Sequence, residues 1–120
     1  MSIKPITLMY MSGVEDGTTI DLNPKTDGSI RDADWILSIG RKDDNDICLR
    51  NDTFVSRYHA RLLWRDGKWW LEDIHSTNGS FTEDEMDTFH EIRFEGTIPV
   101  ECGQLFRLGR TWLRIQPDNY

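Results

Sequence analysis

Apolar residues recur at every second position through most of this chain, in short runs divided by turn residues. Residues 6–11, 18–22, 35–39, 46–49, 60–64, 69–74, 89–94, 105–108 and 111–116 carry this alternation, the period of a strand with one face buried. The breaks fall about eight to twelve residues apart, which is the spacing of an antiparallel sandwich. Arg65-Asp66-Gly67-Lys68 is an Asp-Gly hairpin signal between two such runs, and Gly109-Arg110 is placed to close the last pair. Helical periodicity is hard to find. Nine strands need two packed sheets, so the fold class is all-β, an antiparallel sandwich. Two segments interrupt the rhythm, 23–34 and 83–90, both rich in charge and turn residues. Each is expected to be a loop insertion. Within the second, Glu83-Asp84-Glu85-Met86-Asp87 reads as a solvated acidic loop; its functional alternative is an acidic wall beside a ligand.

Composition narrows what such a sandwich can do. With 120 residues, 38% of them hydrophobic, and five Trp, five Phe and three Tyr, the chain has enough apolar surface for one core, and a single domain over residues 1–120 is expected. Its apolar runs are too short for a membrane-spanning helix. Met1-Ser2-Ile3-Lys4-Pro5 lacks the apolar stretch of a secretory signal, so a cytoplasmic location is expected. Cys48 and Cys102 sit beside apolar residues and read as reduced core thiols. No third ligand stands at metal spacing, and neither a metal nor a cofactor is expected. A net charge of −7 argues against nucleic acid, which needs a broad basic face. The same balance tells against Trp35, Trp64, Trp69, Trp70 and Trp112 as a base-stacking platform; they read as core or sheet-face residues.

Net charge does not exclude a single phosphate, because distant charges are screened beyond about 8 Å at physiological salt. Three polar runs point to one: Gly40-Arg41, Ser56-Arg57-Tyr58-His59 and Ser76-Thr77-Asn78-Gly79. A phosphoryl group carries about −1.5 to −2 charge and three acceptor oxygens, so its receptor needs guanidinium forks, hydroxyls and backbone N–H groups. These runs contain all of them. An enzyme reading is weaker. His59 follows Ser56 by three residues, but there is no Gly-x-Ser-x-Gly elbow, no carboxylate pair and no activated nucleophile at credible spacing.

Taken in order, Ile39-Gly40-Arg41, Asn45-Asp46-Ile47, Val55-Ser56-Arg57-Tyr58-His59-Ala60, Trp70-Leu71-Glu72-Asp73 and Ser76-Thr77-Asn78-Gly79-Ser80-Phe81 resemble the forkhead-associated (FHA) domain family across nearly the whole chain. Gly103-Gln104-Leu105-Phe106-Arg107-Leu108-Gly109 looks like the family's closing strand pair, with Gln104 where an Asp is usual. The resemblance implies a sandwich of about eleven strands whose loops at one end bind a phosphothreonine peptide. It implies that Arg41 and Ser56 hold the phosphate, that Thr77 adds a hydroxyl and that Asn78 clamps the peptide main chain. Asn78 is a residue able to adopt left-handed backbone geometry before Gly79. Arg57 is a candidate second cation, with an exposed surface Arg as the alternative. Gly40, His59 and Gly79 support the loops, His59 by holding Ser56 in place.

The expected function is a phosphothreonine-dependent protein-binding module in Ser/Thr kinase signalling, whose partner is a phosphorylated protein, a kinase or its substrate. The alternative is a phosphate-independent interaction domain of the same fold, since fold does not fix ligand.

Overall fold

The structure, a computed structural model, describes residues 3–84 and 86–116; Met1, Ser2 and Glu85 of the sequence reading lie outside the described residues. Twelve strands are present: β1 Ile6–Tyr10, β2 Thr19–Leu22, β3 Ser29–Arg31, β4 Asp34–Gly40, β5 Ile47–Cys48, β6 Ala60–Arg65, β7 Lys68–Asp73, β8 Ser80–Asp84, β9 Asp87–Phe94, β10 Thr97–Val100, β11 Phe106–Leu108 and β12 Thr111–Ile115. One sheet has the order β2-β1-β12-β11-β8-β9, and the other has β10-β7-β6-β4-β3 with β5 alongside β4. Every pairing is antiparallel except β4 with β5.

Alternation decides which face is buried. Leu8, Phe106, Leu108, Leu113 and Ile115 from the first sheet meet Trp35, Leu37, Ile39, Leu62 and Leu71 from the second, all with 0% exposure. A one-residue slip in register would turn each of these sets outward, so burial fixes the pairing. Trp69 joins the core with Trp64 packed on it at 5.0 Å and Trp35 at 5.9 Å, spacings typical of tilted aromatic pairs. Trp70 and Trp112 are half-buried, so the five Trp serve as core and sheet-face residues.

Two turns form as their residues direct. Asp66 and Gly67 both take positive φ, 53° and 73°, between the paired Arg65 and Lys68. That is the two-residue I′ geometry whose twist matches the flanking strands. Gly109 (φ 58°) turns β11 into β12, pairing Leu108 with Thr111. At the family-variant position, Gln104 Oε1 accepts the Glu101 N–H at 3.0 Å. An amide oxygen thus fills the acceptor role of a carboxylate in that turn.

Three corrections follow. Segment 23–34 is not all loop, because β3 lies in it and pairs with β4 from Ser29↔Ile36 to Arg31↔Asp34. The described residues of segment 83–90 are not a loop insertion either: Glu83 and Asp84 end β8, residues 87–90 begin β9, and the two strands pair antiparallel with a register shift at Glu83/Asp84. Glu83 and Asp84 end β8 some four to five residues along the strand from Gly79, roughly 13–17 Å at 3.3 Å per residue. The cysteines are not core residues. Cys48 is half-buried and Cys102 exposed, and they are not joined to one another.

Candidate functional site

The three polar runs become three loops at one end of the sandwich: residues 41–46 between β4 and β5, 49–59 between β5 and β6, and 74–79 between β7 and β8. The first two are laced together by backbone. Arg41 N–H donates to Ser56 O at 3.0 Å and Lys42 N–H to Arg57 O at 3.3 Å. This approach requires Gly40, since a Cβ there would lie 2.1 Å from Arg57 O. Asn45, buried beneath the crossing, donates Nδ2–H to both Lys42 O and Arg57 O at 2.8 Å.

Arg41 itself is exposed, and its Nε–H is fixed by Val55 O at 3.1 Å. Neither neighbouring carboxylate takes it: Asp43 pairs with Arg50, and Asp44 accepts the Tyr58 hydroxyl at 2.7 Å. With Nε anchored, the two terminal nitrogens of the guanidinium remain as a fork for an anion. The Arg57 side chain is exposed, while its carbonyl is spent on the crossing.

His59 is fully buried and joins the second loop to the third. Its backbone N–H donates to Ile39 O at 2.9 Å and its carbonyl accepts from Ile74 N. Nδ1 accepts the Ser56 N–H at 3.0 Å, while Nε2 lies 2.9 Å from Gly79 O. A carbonyl can only accept and an amide N–H can only donate, so the ring is the neutral tautomer with hydrogen on Nε2. Burial accordingly holds its pKa below the ordinary value, against the opposing pulls of the Gly79 carbonyl, Asp73 and Asp52. His59 therefore holds Ser56 from within the fold.

Asp73 organises the third loop. It accepts the hydroxyls of Ser76 at 2.5 Å and Ser80 at 2.6 Å, and the Ser76 N–H at 3.2 Å; Ser76 Oγ in turn accepts Gly79 N–H at 3.1 Å. Burial pushes the Asp73 carboxyl up, but the Ser76 and Ser80 donors outweigh it and hold it below the usual range. Left-handed backbone in this loop falls on His75 (φ 48°) and Gly79 (φ 92°). Asn78 is not one of the positive-φ residues, which corrects the expectation for that position.

The loops converge on Ser56. Its Oγ accepts the Thr77 N–H at 3.2 Å, which leaves its own hydrogen to donate elsewhere. Asn78 Nδ2–H reaches back to Phe54 O at 2.9 Å. Arg41, Ser56, Thr77 and Asn78 thus meet across one short stretch, Phe54 to Ser56. Beside it opens a groove of about 250 Å³ lined by Tyr10, Val14, Leu49, Phe54 and Arg110 among others. Sequence reasoning missed the loop-shaping roles of Asp52 and Asp73. The signal for Asp52 was its place two residues before Phe54, the Asx-turn spacing, and for Asp73 its place three residues before Ser76, the spacing of a cap. Among the described residues no three His, Cys, Asp or Glu side chains gather as a metal site, and no helix is long and apolar enough to cross a membrane.

Comparison with known proteins bears on the fold and the family. The FHA domain family matches residues 37–96, half of the chain. FHA domain-containing protein FhaB of Mycobacterium tuberculosis is 32% identical over 97 residues, covering 77% of this chain. The chain spans 57% of the length of that curated relative. A solved structure from a structural and functional analysis of phosphothreonine-dependent FHA domain interactions aligns over 98% of this chain and 100% of its own, with TM-score 0.67 and 25% identity. The FhaA FHA domain, solved in complex with the intracellular domain of Rv3910, aligns over 92% of this chain and 99% of its own, with TM-score 0.64 and 26% identity. The order of the motifs, the two-sheet topology and these matches agree, and the chain belongs to the FHA domain family.

Proposed function

We propose that this chain is a phosphothreonine-dependent protein-binding module without catalytic activity, which docks a partner once a Ser/Thr kinase has modified it. The observation that carries this reading is the meeting of Arg41, Ser56 and Thr77 across two hydrogen bonds, Arg41 Nε to Val55 O and Thr77 N to Ser56 Oγ. The guanidinium fork of Arg41 and the Ser56 hydroxyl engage the phosphoryl oxygens, with Thr77 alongside and Arg57 as a second cation. Asn78 grips the peptide main chain, and Gly40, His59 and Gly79 keep the loops in place. Each charge-assisted hydrogen bond is worth roughly 1.5–3 kcal/mol, so a few are enough for a micromolar complex near about −8 kcal/mol.

Threonine is favoured over serine because its methyl fills an apolar notch, a preference of about 1–3 kcal/mol. The groove beside Phe54 seats a residue flanking the phosphothreonine. The protein works in the cytoplasm, its partner being a phosphorylated kinase or kinase substrate. Fluorescence anisotropy against a degenerate phosphothreonine peptide library, with phosphoserine and unmodified threonine controls, tests the reading. Saturable binding of the phosphothreonine library alone supports it. Equal binding of the unmodified library would instead favour a phosphate-independent interaction domain.

A further inference from the structure

We infer that Asp52 and Thr111 form a clasp through which the β11–β12 turn positions the phosphate-binding loops, making both positioning residues for ligand capture; the inference rests on the reading just proposed. Asp52 lies at the start of the turn that leads to Ser56. Its Oδ1 accepts the Phe54 N–H at 2.9 Å, and its backbone carbonyl accepts the Val55 N–H at 3.1 Å. The carboxylate is therefore the inner post of the stretch whose Phe54 and Val55 carbonyls hold Asn78 and Arg41.

The other carboxylate oxygen faces the last hairpin. Oδ2 accepts the Arg110 N–H at 2.8 Å and the Thr111 hydroxyl at 2.6 Å, partners 58 and 59 residues away in sequence. The same turn touches the third loop as well, since Gly109 N–H donates to Gly79 O at 3.4 Å, the carbonyl that His59 also uses. Two loops of the site are thus braced from residues 109–111, which lie outside the matched segment 37–96.

Charge makes a purely incidental role for Asp52 hard to sustain. A carboxylate next to a phosphate site repels the ligand, at a cost that falls only when its charge is shared with donors. Here three donors, two of them backbone, share its charge from both sides. What it returns is position: a loop of eleven residues between β5 and β6 is pinned near its middle to a rigid hairpin, which lowers the ordering cost of binding.

The test uses Thr111→Val, which keeps shape and removes the hydroxyl, Thr111→Ser, which keeps the hydroxyl, and Asp52→Asn, measured with a fluorescein-labelled phosphothreonine peptide. Thr111→Val weakens binding by about tenfold, Asp52→Asn by at least as much, and Thr111→Ser restores affinity to within about twofold of the parent. In an Asp52→Asn background the Thr111→Val cost shrinks, because the two residues are partners in one contact. Unchanged affinity in Thr111→Val, or a full cost persisting in the Asp52→Asn background, overturns the clasp. Should the parent protein bind no phosphothreonine peptide, the functional reading fails separately. Amide hydrogen exchange then decides the clasp: faster exchange at Phe54 and Ser56 in Thr111→Val, against an unchanged Leu71, supports it, and equal protection refutes it.

Discussion

Gly40-Arg41 and Gly109-Arg110 are the same dipeptide, each at the end of a strand, and the Asp52–Arg57 stretch lies between them. In both, the missing side chain permits close approach: a Cβ on Gly40 would meet Arg57 O at 2.1 Å, and one on Gly109 would meet Phe54 C at 2.8 Å and Val55 N at 2.9 Å. The arginines then diverge. Arg41 anchors Nε on Val55 O and keeps its fork outward. Arg110 gives its backbone N–H to Asp52 and lays its guanidinium 3.7 Å from the centroid of the Phe54 ring. One leaves its charge facing outward and the other braces the loop. Identical local chemistry acquires two roles because donor direction is set by which edge of the loop each strand end meets.

The largest contrast should come from removing the two side chains. Arg41→Ala is expected to lose roughly 2–5 kcal/mol of phosphopeptide affinity with little change in melting temperature, whereas Arg110→Ala keeps most of the affinity. Isothermal titration and thermal scans of both variants check this. Equal losses would erase the distinction. Next in size is Gly40→Ala, where a methyl meets a backbone carbonyl that cannot swing aside. Overpacking of this kind costs about 1–3 kcal/mol, read as a lower urea midpoint, and the crossing of loops 41–46 and 49–59 opens with it.

Acid should weaken the third loop's attachment. His59 is neutral in the folded protein with its pKa below the ordinary 6.5, so its contribution is fully present above that value and lost as pH falls through the lower folded one. The Asp73 carboxyl, also held down, contributes above its ordinary 3.8 and loses that contribution at still lower pH. Urea midpoints should therefore fall from about pH 6.5 downward, with a flatter slope in His59→Gln. An identical slope in that variant would move the effect elsewhere. The smallest effect is that of Arg110→Ala on stability, where the loss of cation–π packing on Phe54 costs about 0.5–1 kcal/mol.

How much of this the chain discloses in advance depends on what each residue type can encode. Alternation located the strands that bury a full face, such as β4 with Trp35, Leu37 and Ile39, because burial imposes the period. It missed β3, whose Ser29, Ile30 and Arg31 are all exposed, and β10, an edge strand carrying Pro99; both lie at sheet edges, which bury little, so nothing forces a pattern on them. It also missed β8, an inner strand, because the residues it buries, Ser80 and Thr82, are polar and give no apolar alternation. Gly-Arg, Ser-x-x-His and Thr-Asn-Gly marked the three loops that meet at one end of the sandwich. Their partners were hidden: that Arg41 seeks a carbonyl rather than Asp43, or that Asp52 reaches Thr111, depends on sheet order and not on neighbours in sequence.

A titration of the uniformly 15N-labelled protein with a phosphothreonine peptide, followed by amide chemical shifts, tests the central claim most directly. The largest shifts are expected at Arg41, Ser56, Thr77 and Asn78, and the unphosphorylated peptide should leave them in place. Shifts centred on the outer face of either sheet, or equal shifts with the unphosphorylated peptide, would contradict the account.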